Sequence, residues 1–230
     1  MKKICTKMNE AAWILGILLC DLGVCFCTKA DFGLSMIAAP PYILHYALRD
    51  MFPWFTQGTS EYVVQGILLI LLCIVVKKFK PRYLLSFVTA FLSGNVIDMW
   101  LFFLGGNGPY EQLWLRIVAF VVGESLIALA VAFFFRTTLP IQMAELIVCE
   151  ISDTYKKDTN KVKLIYDIVF LVLSGVLSLT LTGGFNGFGI GTVIIVFVNA
   201  PLIAFFGKII DKFFGFDSLF PFTKKYFKKS

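Results

Sequence analysis

Four acidic residues lie in or at the edge of apolar runs of the sequence: Asp21 in WILGILLCDLGVCFC, Asp98 in FLSGNVIDMWLFFL, Glu124 in IVAFVVGESLIALAVAFFF and Asp167 in KLIYDIVFLVL. Ionised carboxylates are costly in hydrocarbon, so those that persist there face a bundle interior, a partner or an aqueous path. Asp21, Asp98 and Glu124 are therefore candidates to line a polar pathway or a proton- or cation-coupled site. Asn95 stands three residues before Asp98, which puts both on one helical face and leads us to expect them in one cavity. His45, the only histidine, is a candidate substrate contact or proton-sensitive group; the plainer reading is an interfacial residue. Gln65 and Asn199 add neutral polar groups, read as hydrogen bonds between helices.

No catalytic set assembles from the remaining residues. The chain has no G-x-S-x-G elbow, no Cys/His pair and no paired histidines. Tyr166-Asp167 and Gly189-Ile190-Gly191 parallel the two motifs of intramembrane aspartyl proteases, yet the next residue is Thr192, where the second acid would stand. The six cysteines form no C-x-x-C pair, so neither a disulfide framework nor a zinc site is indicated. No enzyme activity, metal or cofactor is expected.

The elements that must position these residues are membrane helices. Of 230 residues, 58% are hydrophobic and 16% charged, far outside soluble usage. A bilayer core of about 30 Å needs about 20 helical residues. Six stretches meet or approach that length: 11–28, 62–76, 83–104, 113–135, 162–181 and 189–209. Two shorter apolar pieces lie between them, LSMIAAPPYILHYAL with Pro40 and Pro41, and LPIQMAELIVCEI opening at Pro140. Proline suits only the first turn of a helix, so both read as short interfacial or re-entrant helices. The first apolar stretch is expected to stay as a span rather than be cleaved, since no small-x-small site follows it.

Charge sets the orientation. With six spans and a cytoplasmic amino terminus, 18 of the 21 basic residues fall inside, leaving Lys29, Arg49 and Arg116 outside. That asymmetry supports six spans with both termini in the cytoplasm. It also accounts for the net charge of +6 as topology, so no nucleic-acid partner is implied.

The order of span, proline helix, span, span recurs at an offset of about 100 residues, pairing Pro40 or Pro41 with Pro140. Three spans per unit would place the second unit upside down, an arrangement common in secondary transporters. The divisions are a cytoplasmic start at 1–10, a first three-span repeat at 11–104, a second at 105–210 and a basic cytoplasmic tail at 211–230. Between the last two spans, TGGFNGFGIGT lacks the lysine of a phosphate loop and follows no predicted strand. Gly189 and Gly191 are read there as turn and close-approach glycines, with Phe185 and Phe188 as interfacial anchors.

With these segments placed, the chain resembles the YczE/YyaS/YitT-like bacterial integral membrane proteins, in a branch of unknown function, over about residues 10–210. GLSMIAAPPYILHYAL carries part of the likeness: the group's Pro-Trp-Asp-x-x-His pattern is met by Pro40 and His45, with Pro41 and Tyr42 in place of Trp and Asp. A Gly-Gly…Gly-x-Gly-Thr stretch before Gly-Pro is met by Gly183, Gly184, Gly189, Gly191 and Thr192, then Ala200 and Pro201. Asp98 falls where the group carries Gly-x-x-(Ile/Leu)-Asp. The resemblance implies a bacterial plasma-membrane location and little about chemistry.

The expectation is an all-α polytopic protein that moves a small solute or ion across the cytoplasmic membrane. Asp21, Asp98 and Glu124 would line the path, and Pro40, Pro41 and Pro140 would break helices near it. A second reading is a non-transporting partner, as a substrate-binding or accessory subunit of a larger membrane complex. In either case the bilayer is the first partner, and a homo-oligomer or membrane partner is compatible with the sequence.

Overall fold

A computed structural model describes residues 7–80 and 82–217. The fold is all helical: α1 (Asn9–Ala30), α2 (Ala39–Leu48), α3 (Gln57–Val76), α4 (Arg82–Phe103), α5 (Leu113–Phe134), α6 (Met143–Tyr155), α7 (Thr159–Thr182) and α8 (Ile190–Phe213). All but α2 and α6 are long and apolar enough to cross a membrane. This is a multi-pass membrane protein. Of the basic tail only residues 211–217 are described; Lys224, Lys225, Lys228 and Lys229, like Lys2 and Lys3, lie outside the described residues.

Local chemistry sets the helix ends, and in two places it moves them from the sequence expectation. Helix α3 starts five residues before Tyr62 because the Thr56 side chain accepts from the Thr59 N–H at 3.0 Å and caps it. Likewise Asp158 accepts from Lys161 N–H at 3.0 Å and starts α7 at Thr159. Pro40 and Pro41 sit in the first turn of α2, as expected. Pro140 does not open a helix: it lies three residues before α6, in the extended segment leading to it. Its carbonyl accepts from Trp13 Nε1 of α1 at 2.7 Å and from Thr89 Oγ1 of α4 at 2.9 Å. The residue thus anchors a non-helical segment between two spans.

Helices α1 and α5 form the centre, each with 56% of its most apolar stretch buried, against 28–39% for the other four spans. They approach closely at two glycines. A Cβ at Gly23 would lie 2.6 Å from the Gly123 carbonyl oxygen, and one at Gly123 would lie 2.8 Å from that of Gly23. Around this pair, α4 packs on α1 and α8 on α5, while α3 lies on α4 and α7 on α8. The short helices reach across: α2 packs on α3 and α7, and α6 on α7 and α3. Outward faces carry the exposed apolar side chains expected in lipid, such as Phe102, Val172, Ile190 and Phe197.

Candidate functional site

Asp21 lies midway along α1, is 1% exposed, and accepts a 2.5 Å hydrogen bond at Oδ1 from Ser93 of α4. The Ser93 hydroxyl in turn accepts from Gln142 Nε2 at 2.7 Å. From α3, Gln65 Nε2 donates to Glu61 Oε1 at 2.8 Å, while Gln65 Oε1 accepts from the Met143 N–H at 2.8 Å. That last bond satisfies a donor that the first turn of α6 leaves open, and it brings Glu145 into the same space.

Asp21, Glu61 and Glu145 therefore line one small cavity of about 20 Å³, together with Ser35, Gln142 and apolar residues of α1, α4 and α5. Such a volume holds about one water-sized particle. Among the described residues, Asp21 Oδ2 and Glu145 Oε2 are buried without a hydrogen-bond partner. Burial pushes the Glu145 carboxyl up to about 7, with the Lys163 ammonium acting in the opposite sense. No three acidic, histidine or cysteine side chains among the described residues converge as metal ligands.

A second polar group lies on α7, where Lys163 pairs with Asp167 at 2.6 Å with both side chains almost wholly buried. Removing either partner of such a pair strands a charge, which is typically worth about 3–5 kcal/mol. Glu124 on α5 is buried, and neither carboxyl oxygen has a partner among the described residues; Lys163 is the cation that acts on it most.

The remaining candidates are placed elsewhere. Asp98 does not join Asp21; it accepts from Thr56 Oγ1 at 2.6 Å and from the Gly58 N–H at 2.9 Å. It therefore holds the first turn of α3, which packs so tightly on α4 that a Cβ at Gly58 would meet the Gly94 carbonyl and one at Gly94 the Gly58 carbonyl. Asn95 does not share a cavity with Asp98: it is exposed and donates to the Phe91 carbonyl at 2.7 Å, one turn back on its own helix. Three residues correspond to about 300° of helix rotation, enough here to put one on the surface and the other against α3. His45 Nδ1 meets the Phe55 carbonyl at 2.7 Å, and Nε2 meets Asn107 Nδ2 at 3.0 Å. A carbonyl needs the Nδ1 proton, so Nε2 accepts from the amide, and burial lowers the pKa of this neutral ring below its usual value. The imidazole ties α2 to two loop segments, one before α3 and one after α4.

The glycine-rich stretch also finds a concrete partner. Leu34 N–H donates to Gly187 O at 3.1 Å and Gly191 N–H to Phe32 O at 2.8 Å, so this turn holds the segment between α1 and α2. Gly187 has φ of 71°, and a Cβ at Gly191 would lie 2.7 Å from the Phe32 carbonyl. Gly189 serves as the N-cap of α8, and its N–H donates to Thr192 Oγ1 at 3.2 Å.

Glu61 and Glu145 were not singled out in the sequence. Glu61 sits in the polar run QGTSEY, just ahead of the apolar stretch at 62–76, and Glu145 in a short amphipathic piece that reads as an interfacial or re-entrant helix. A larger open cavity of about 420 Å³ lies on the other side of α6, lined by Lys80, Pro140, Leu146, Glu150 and Asp153 among others. At its rim Lys80 and Tyr83 both donate to Glu150, at 2.6 and 2.9 Å.

Residues 7–208 match the model described as a family of unknown function, DUF6198. The chain is also 29% identical over 204 residues to the uncharacterized protein YyaS of Bacillus subtilis (strain 168), covering 87% of this chain and 92% of the relative. No solved structure matches.

Proposed function

We propose that this chain, which belongs to the family of unknown function DUF6198, is a carrier that moves a small solute or ion across the bacterial cytoplasmic membrane. One observation carries the reading: three carboxyl groups around a small cavity at half the height of α1 and α4, next to a larger and more open cavity. Buried acids that stabilised nothing but the fold would be expected to have all their oxygens paired. Here oxygens of Asp21 and Glu145 are left for another group.

The reading includes two inverted halves, α1–α4 and α5–α8, with α2 and α6 as re-entrant helices. Reciprocal packing supports it, since each short helix rests on the third helix of both halves. The i,i+4 polar pairs Glu61/Gln65 and Lys163/Asp167 occupy the fifth and ninth positions of α3 and α7, and Gly23 meets Gly123 at the centre. In that scheme the short helices approach mid-membrane with their positive N-terminal ends, where polar groups of a substrate can be held. Both termini lie in the cytoplasm, with Lys80, Arg136, Lys156 and Lys157 on that side and the larger cavity as the inner vestibule. No chemistry is performed on the solute, so the protein is not an enzyme.

Uptake and efflux of a broad panel of labelled solutes and ions by the purified protein in proteoliposomes tests the proposal. Flux is expected from the native chain and a drop of at least about tenfold in Asp21→Asn and Glu61→Gln. No flux for any member of the panel, with stable co-purification of a second membrane component, would favour the accessory-subunit reading instead.

A further inference from the structure

We propose that Asp21, Glu61 and Glu145 form a proton-binding site buried in the bundle, and that the first turn of α6 is the partition across which its protons exchange with the larger cavity. The argument starts from charge. Three carboxyl side chains from α1, α3 and α6 line a space of about 20 Å³, and among the described residues no lysine or arginine lines it. The groups that face it from neighbouring elements are Cys20 and Cys25 on α1, the neutral Ser93 on α4, Glu124 on α5, and Lys163, Tyr166 and Asp167 on α7. Lys163 is the one cation among them, and its ammonium is already held 2.6 Å from Asp167. Three ionised carboxylates in one such space would repel each other with little water to screen them, so some must hold protons.

The hydrogen bonds agree with that state. Asp21 uses Oδ1 for Ser93 and Glu61 uses Oε1 for Gln65. Asp21 Oδ2 and Glu145 Oε2, on side chains only 1% exposed, meet no partner among the described residues and are the positions open to an O–H. An exchange route follows from residue order along α6. Glu145 lines the small cavity, while its neighbour Leu146 lines the larger one with Pro140, Glu150 and Asp153. One helical turn therefore separates buried protons from a cavity of about 420 Å³ that carries two further carboxylates. The ligand is the proton, and under the transport reading it is the coupling ion; the site itself does not depend on that reading.

Infrared titration of the purified full-length protein in lipid provides the test, since a protonated carboxyl has a carbonyl stretch resolved from amide and carboxylate bands. That band is expected at mildly acidic pH and should fade as pH rises through about 7, because a carboxyl raised to that value is neutral below it and charged above. Glu145→Gln should reduce the component that titrates there, whereas Asp153→Asn at the exposed cavity rim should leave it. Glu61→Gln and Asp21→Asn each reduce the remaining band, which keeps the test open if Glu145→Gln fails to fold. A native protein with no such band, or the same band in all three cavity variants, overturns the proposal whatever the flux. Absence of flux with the band intact would instead defeat the transport reading and leave the proton site standing.

Discussion

At the scale of single residues, the contrast between Asp98 and Asp21 shows what an acid inside a membrane protein can be for. Both sit in apolar helices, and the sequence offers no way to separate them. The structure does so through what stands opposite. Asp98 faces the start of a helix, with a hydroxyl at 2.6 Å and an amide N–H at 2.9 Å; Asp21 faces a cavity with one oxygen unpaired among the described residues. Asp98→Ala is therefore expected to destabilise the protein by about 1–3 kcal/mol through the stranded donors of α3, read as a lower thermal unfolding midpoint in detergent. If Asp98→Ala melts like the native protein and yet loses flux, its place is in the path and not at the cap. Asp21 and Glu124 were legible as buried acids from their apolar surroundings alone. Glu61 and Glu145 were not, because hydrogen bonds between distant helices, not local pattern, draw their segments inward.

At the scale of elements, the spans were legible from hydropathy to within a few residues except where a polar first turn extends them. QGTSE became the start of α3 because Thr56 and Asp98 satisfy it, which no local pattern announces. The two proline-bearing pieces were legible as short helices, but Pro140 proved to be an anchor ahead of one. The central contact is a sharper matter. Gly23→Leu would drive a side chain into the Gly123 carbonyl and Ile127, so it is expected to lower stability by about 1–3 kcal/mol or more. Gly66→Ala provides the comparison, since a Cβ there meets only Phe87 at 3.6 Å and should be tolerated. Equal unfolding midpoints for the two variants would mean that the α1 and α5 backbones separate at little cost.

At the scale of the whole molecule, orientation rests on the distribution of Lys and Arg. Cysteines introduced at Gly108 and Gly184, where nothing within about 3.5 Å opposes a side chain, are expected to react with membrane-impermeant thiol reagents added outside intact cells. One introduced at Lys157 should react only after permeabilisation. Labelling of Gly184→Cys from the cytoplasm alone would overturn the six-span orientation. The way the halves grip each other bears on synthesis. Gln65 of α3 closes the first turn of α6, Trp13 and Thr89 hold the segment before it, and α2 rests on α7. Helix α2 thus leaves the ribosome about a hundred residues ahead of one of the surfaces it lies on. Its final seat can form only late, after most of the chain has entered the bilayer, and neither half alone can complete the acidic cavity.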